Sequence, residues 1–236
     1  MSCVNIRGCC IGEGRPKVII PIVEPTETAV LEKAAEFSTL RADCVEWRID
    51  CFEGAKDYSA IVHCAAKLRV ALKDKLLLFT FRTKAEGGKV ALAHEEYLHF
   101  IRTVLATDCA DLIDIEFFTA GAELPALIEE AHTAGATELV SRMMQMQRAG
   151  ADLPKLAVMP QSRADVLELL AATAEMADRH PETPIITMSM GALGAVSRLS
   201  GEALGSAMTF ANPGQASAPG QVSLEVVNEV LDALHL

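Results

Sequence analysis

The 236 residues, half of them hydrophobic, are enough for one large α/β domain with a full core. With 32 acidic against 21 basic side chains the formal charge is -11, which argues against a nucleic-acid backbone or an anionic membrane surface as partner; an anionic ligand would need a local cluster of arginines. No apolar run approaches the roughly eighteen residues of a membrane span. Met1-Ser2-Cys3-Val4-Asn5-Ile6-Arg7 lacks the apolar core of a secretory signal, so a soluble, cytoplasmic protein is expected.

Residues 1–14 alternate weakly and contain Gly8, Gly12 and Gly14, which predicts a short N-terminal hairpin. Lys17–Val23 reads as a buried strand by its length and β-branching, and Ala29, Val30, Ala34 and Phe37 follow at helical spacing. Cys44–Ile49 predicts the second strand, 58–72 the second helix, and Leu76–Phe81 the third strand. A Gly87-Gly88 loop, a helix near 93–106, the strand Leu112–Glu116 and a helix over 122–134 come next. A further helical stretch starts at Thr137. The pattern resumes with a strand at 155–159, a helix at 163–179, the strand Pro184–Met190, a helix near 194–205, a short strand Met208–Phe210 and a last helix over 223–234. The seven cysteines, Cys3, Cys9, Cys10, Cys44, Cys51, Cys64 and Cys109, include no C-x-x-C pair, and buried reduced thiols are expected.

Strands alternating with amphipathic helices mean βα units and a parallel sheet, either doubly wound or closed into an eightfold barrel. No G-x-G-x-x-G follows the first strand, which weighs against a dinucleotide fold. No linker divides 1–236, so one domain is expected. Seven main strands are counted where a barrel needs eight, and the shortfall, roughly ten to fifteen residues, falls between 121 and 149. A gap in a barrel wall leaves two unpaired edges, which is costly.

In the strand Lys155-Leu156-Ala157-Val158-Met159, Lys155, Ala157 and Met159 share one face and Leu156 and Val158 the other. A lysine desolvated among apolar neighbours can present a neutral amine to a carbonyl and form a Schiff base; the alternative is a strand-end lysine that snorkels to water. Barrel sites lie at the carboxyl ends of strands. Those ends offer Glu46 and Arg48, Arg82 with nearby Glu86, Lys155, and Met188 with Met190. Singly, each charged residue fits a solvated loop or structural ion pair, and the methionines fit core packing. Together, three arginines (Arg48, Arg82, Arg198), a carboxylate pair and one lysine suggest an anionic, oxygenated ligand held around an amine.

Six blocks carry a family likeness: Glu46-Trp47-Arg48; Phe79-Thr80-Phe81-Arg82 with Glu86-Gly87-Gly88; Pro154–Pro160; Ile186-Thr187-Met188-Ser189-Met190-Gly191; Ser197-Arg198; and Ser217-Ala218-Pro219-Gly220-Gln221. The chain resembles type I 3-dehydroquinate dehydratase over nearly its whole length. The resemblance implies a (β/α)8 barrel, a homodimer, a lyase of the shikimate pathway, and no metal or organic cofactor. It implies that Lys155 forms an imine with 3-dehydroquinate, and that Arg198 and Gln221 hold the substrate carboxylate with Ser217 nearby. It further implies that Glu46, Arg48 and Arg82 bind hydroxyls, that Met188, Met190 and Phe210 wall the pocket, and that 212–221 is a lid.

One departure matters. The family's acid/base is a histidine in a Ser-Asn-His-Asp-like run on the fifth strand, oriented by the carboxylate matching Glu86, and this sequence has no such run. His63, His94, His99 and His132 are expected on outer helices, His180 in a loop and His235 at the C-terminus. Either the written sequence omits residues near Gly135 and Ala136 and the protein is a competent dehydratase, the reading favoured by the cost of an open barrel, or the segment is deleted. A deletion leaves a disabled variant or a binder of dehydroquinate-like ligands. A class I aldolase also uses a lysine imine, but the Ser-Ala-Pro-Gly-Gln block argues against it.

Overall fold

The computed structural model describes residues 3–116, 138–214 and 216–235. Its contacts divide the chain into two units, Ile19–Gly121 and Met1–Val18 with Ala122–Leu236. The chain passes from one to the other inside the strand β3 (Lys17–Ile22).

In the Ile19–Gly121 unit, β3, β4 (Cys44–Arg48), β5 (Leu76–Thr80) and β6 (Leu112–Asp114) lie side by side, all parallel. The apolar residues of β3, β4 and β5 are buried on both faces, as a parallel sheet covered by helices requires, while those of β6 are half-buried. The register sets Arg48 beside Thr80 and Thr80 beside Asp114, so the carboxyl ends of three strands form one polar row. Helices α1 (Glu27–Phe37), α2 (Tyr58–Leu72) and α3 (His94–Leu105) connect the strands. The Thr26 and Asp57 side chains cap α1 and α2 by accepting the N–H groups of Ala29 and Ala60. Each helix buries one stripe: Val30, Ala34 and Phe37; Ile61, Cys64, Ala65, Leu68 and Leu72; Tyr97, Phe100, Ile101 and Val104. Trp47 packs edge-on against Phe52 and Phe79 beneath the polar row.

The other unit opens with the predicted hairpin, β1 (Val4–Ile6) antiparallel to β2 (Cys9–Ile11). The helix α4 (Glu138–Arg148) precedes β7 (Lys155–Val158), then α5 (Arg163–Arg179) leads into β8 (Ile186–Ser189), which pairs parallel with β7. Val140, Met143, Leu156, Leu169, Met176 and Ile185 form the core under these helices. A bridge from Ile185 to Ser206 brings in β9 (Met208–Phe210), and Lys17 donates its backbone N–H to the Ala207 carbonyl at 2.9 Å.

Three expectations change. The helix placed near 194–205 is a 3-10 turn, Ala195–Arg198, followed by a single helical turn, α6 (Gly201–Leu204). The chain folds back so closely that a Cβ on Gly194 would lie 2.1 Å from the Ser189 carbonyl oxygen. Continuous helix cannot follow that approach. The cysteines are not all buried thiols: Cys3 is bonded to Cys10, Cys44 and Cys64 are buried, and Cys9, Cys51 and Cys109 are half-buried. The hairpin makes that pair, because Asn5 lies opposite Cys10 and Cys3 shares the face of Asn5. Lastly, Lys155 opens β7 instead of closing it. The helix over 122–134, His132 and the junction near Gly135 lie outside the described residues. The last helix, α7 (Leu224–Ala233), runs as expected and is capped by Ser223. Among the described residues no helix is long and apolar enough to cross a membrane.

Candidate active site

The polar row in the Ile19–Gly121 unit is built on charge pairing. Glu46 is buried and accepts a hydrogen bond from the Thr80 hydroxyl at 2.8 Å. Arg48 is held by both oxygens of Asp50, Nε to Oδ1 at 2.8 Å and Nη2 to Oδ2 at 2.9 Å. Burial opposes the Arg48 charge, but the bond to Asp50 and the charge of Glu46 outweigh it and hold the guanidinium protonated. Arg82 reaches three carboxylates: Glu86 at 3.0 Å, Asp114 at 2.8 Å and Glu116 at 3.2 Å. Those neighbours overcome burial and raise its pKa further.

Glu86 sits in the opposite balance. Burial raises its pKa, and the like charge of Glu116 adds to the rise against the opposing pull of Arg82. Its Oε2 accepts from Arg82, while its buried Oε1 has no hydrogen-bond partner among the described residues. Glu116 accepts the Thr83 N–H and hydroxyl, each at 2.7 Å, and donates its own N–H to the Tyr97 hydroxyl at 2.8 Å. The Tyr97 hydroxyl is pushed up, chiefly by burial.

The second group lies in the other unit. Lys155 is half-buried, and its Nζ lies 5.0 Å from the centroid of the buried Phe210 ring, the last residue of β9. Although Lys155 starts β7, its amine thereby lies beside the last residue of β9. Leu156 faces the helical core while Met159 is 50% exposed, as the alternation predicts. Met188 is buried and Met190 half-buried.

Arg198, on the 3-10 turn, is only 2% exposed. Its Nη1 faces the Met188 sulfur at 3.7 Å and its Nη2 the Pro219 carbonyl at 3.5 Å, while its Nε has no partner among the described residues. No carboxylate among the described residues pairs with it, and burial lowers its pKa. Gln221 and Ser217 bond each other, Ser217 N–H to Oε1 at 2.8 Å and Nε2 to the Ser217 hydroxyl at 3.0 Å. Gly220 has φ +76°, and a Cβ there would lie 2.2 Å from the Gly191 carbonyl oxygen, so only glycine fits.

Every predicted site residue is described, in two groups: Glu46, Arg48, Arg82 and Glu86; and Lys155, Met188, Met190, Arg198, Phe210, Ser217 and Gln221. The sequence reading missed Asp50, Asp114 and Glu116, the carboxylates that hold the arginines. The alternation Asp114-Ile115-Glu116 at a strand's carboxyl end was a usable signal, since it sets two acids on one face. Asp50 gave none beyond its closeness to Arg48. Of the five described histidines, His63, His94 and His99 lie on outer helices, His63 beside Glu27 and His99 against Tyr58, and His235 pairs with Glu202.

An amine over an aromatic ring and, in the same unit, a buried arginine with no anion among the described residues sit at the strand ends of a parallel α/β protein. The comparisons agree. The model of the type I 3-dehydroquinase family matches residues 18–236, and the chain belongs to that family. It is 44% identical to the 3-dehydroquinate dehydratase of Bacillus subtilis, over all of this chain and 98% of that one. It is 41% identical to that of Salmonella typhimurium, over 100% of this chain and 99% of that one. Among solved structures, type I 3-dehydroquinate dehydratase from Clostridium difficile superposes with TM-score 0.90 at 38% identity, covering 99% of this chain and 98% of that one. The Enterococcus faecalis enzyme gives 0.86 at 38%, covering 99% and 100%. The fold class is thus the parallel α/β class of the (β/α)8 barrels. The Bacillus subtilis match spans 250 aligned positions against the 236 residues here, leaving 14 positions with no residue of this chain, the size of the counted shortfall.

Proposed function

We infer that this chain dehydrates 3-dehydroquinate to 3-dehydroshikimate through an imine on Lys155. The single observation that carries the reading is Arg198, a buried guanidinium that meets a thioether and a carbonyl and, among the described residues, no carboxylate. A buried charge of that kind is stable only with an anion, and the substrate carboxylate supplies one. Gln221 and Ser217 join the grip on that carboxylate; Glu46, Arg48 and Arg82 take the hydroxyls; Met188, Met190 and Phe210 form the apolar wall. The Lys155 amine adds to the ketone and expels water, giving an iminium that acidifies the adjacent C–H. Loss of that proton and departure of the neighbouring hydroxyl as water leave the conjugated imine, which a second water hydrolyses. The Clostridium difficile relative was crystallised with covalent modified comenic acid, which supports a covalent step. The reading takes 1–236 as one barrel domain with 212–221 as a lid that excludes water. It places the protein in the cytoplasm as a homodimer, with neither nucleic acid nor membrane as partner.

A second reading rests on the absent Ser-Asn-His-Asp-like run and the 14 unmatched positions: a variant that forms the imine but turns over slowly. Loss of a general acid/base costs about 10²- to 10⁴-fold. Borohydride with 3-dehydroquinate should fix one adduct on Lys155 in either case. Enone absorbance then separates the two, with turnover supporting the dehydratase and trapping without turnover the disabled form. Unmodified Lys155 would remove both. Intact mass shows whether the chain is 25.3 kDa or heavier by a strand.

A further inference from the structure

The segment Arg82–Val90 carries two of the proposed site residues, Arg82 and Glu86, yet little of it is regular beyond the 3-10 turn Lys84–Glu86. Its own bonds close it into a loop, Gly88 N–H to the Thr83 carbonyl at 2.8 Å and Lys84 N–H to the Val90 carbonyl at 2.9 Å. Besides the carboxylates Asp114 and Glu116, the loop is held by Asp50, just past the end of β4. This carboxylate is 2% exposed and accepts four hydrogen bonds. On Oδ1 it takes Arg48 Nε at 2.8 Å and the Arg82 N–H at 3.3 Å. On Oδ2 it takes Arg48 Nη2 at 2.9 Å and the Lys89 N–H at 3.3 Å.

We propose that Asp50 is a positioning residue of this site: one carboxylate fixes the Arg48 guanidinium and both ends of the loop bearing Arg82 and Glu86. The claim rests on the dehydratase reading and extends it to a residue that touches no substrate. Two features carry it. An ionised carboxylate has four acceptor directions, and all four are taken, by donors from three residues that lie up to 39 positions from Asp50 in sequence. Glu116 meanwhile is bonded to the near end of the loop, through Thr83 and Arg82, whereas Asp50 is bonded at both ends, to the Arg82 and Lys89 N–H groups.

Asp50→Asn is the test, because the amide keeps the shape but turns one of the two oxygens into a donor facing donors. In a folded variant KM for 3-dehydroquinate rises about ten- to hundredfold while kcat falls less, since the arginines it misplaces bind ground and transition states alike. Asp50→Glu restores the charge and recovers part of the loss, which a mere packing role would not do. Amide exchange at Arg82 and Lys89 is read in parallel without substrate, and both amides lose protection in Asp50→Asn. Unchanged KM with unchanged protection overturns the proposal. If Asp50→Asn does not fold, Lys89→Pro removes the Lys89 N–H that Asp50 accepts, along with the lysine side chain, and a normal KM there overturns it equally. If wild-type Lys155 resists borohydride trapping, the dehydratase reading fails on its own. Asp50 is then judged by exchange alone, with unchanged protection refuting it.

Discussion

Replacing Arg198 with methionine should separate stability from function in opposite directions. The guanidinium is 2% exposed, its polar contacts are a sulfur at 3.7 Å and a carbonyl at 3.5 Å, and its Nε is unpaired. Removing a buried charge in favour of an apolar side chain of similar length is worth about 1–4 kcal/mol to stability. For a chain this long each kcal/mol is roughly 2–4 °C, so ligand-free Arg198→Met should melt about 2–15 °C above wild type. The backbone is spared: the Thr209 hydroxyl donates to the Arg198 carbonyl at 2.9 Å, a bond indifferent to the side chain. Affinity moves the other way. A carboxylate gripped by two charge-assisted bonds at about 1.5–3 kcal/mol each loses roughly two to four decades. Thermal melting with and without 3-dehydroquinate reads both at once. Ligand at a hundred times the wild-type Kd raises the wild-type stability by about 2.7 kcal/mol and leaves the variant nearly unmoved, so ligand narrows or reverses the gap between the two. A variant that melts lower without ligand, or is stabilised by ligand as wild type is, refutes the assignment.

Glu86→Gln tests the crowded carboxylates by their pH dependence. The folded pKa of Glu86 is raised, so the folded state keeps this proton where the unfolded chain has released it. Its stabilising share is whole below the ordinary carboxylate pKa and is lost as pH rises through the raised one. The glutamine, neutral throughout, should therefore gain in melting temperature over wild type as pH climbs from about 4 to 7, with Arg82 still held by Asp114 and Glu116. A difference that stays flat across that range contradicts the raised carboxyl. Gly88→Ala should cost about 1–3 kcal/mol and raise KM, because the new Cβ would meet the Arg82 carbonyl oxygen at 1.8 Å and the Thr83 carbonyl oxygen at 3.0 Å, both rigid backbone. A wild-type melting temperature would show that the loop is slack there.

The parts of this fold that could be read from the sequence are those set by periodicity. Leu156 and Val158 against Lys155 and Met159, or the stripe Val30, Ala34 and Phe37, announce their faces because spacings of 2 and 3.6 are local properties. The helix drawn over 194–205 failed because the constraint there is not local: it is the Ser189 carbonyl pressing on Gly194. The Cys3–Cys10 bond likewise depends on the hairpin register, which one-residue bookkeeping of cysteines cannot supply.

The site shows the same division more sharply. In the sequence Arg48, Arg82 and Arg198 are three equal cations. In space, Asp50 takes the first and Asp114, Glu116 and Glu86 take the second, while the third is buried beside Met188 and Pro219 with no acid among the described residues to meet it. The sign of each pKa shift follows from that partnering: Arg48 and Arg82 are raised although burial opposes them, and Arg198, under burial alone, is lowered. A buried cation without an anion costs stability until one arrives, and under the proposed function the substrate carboxylate returns it. The sequence blocks identify the family, but only the distribution of carboxylates among the described residues sets Arg198 apart from the other two arginines.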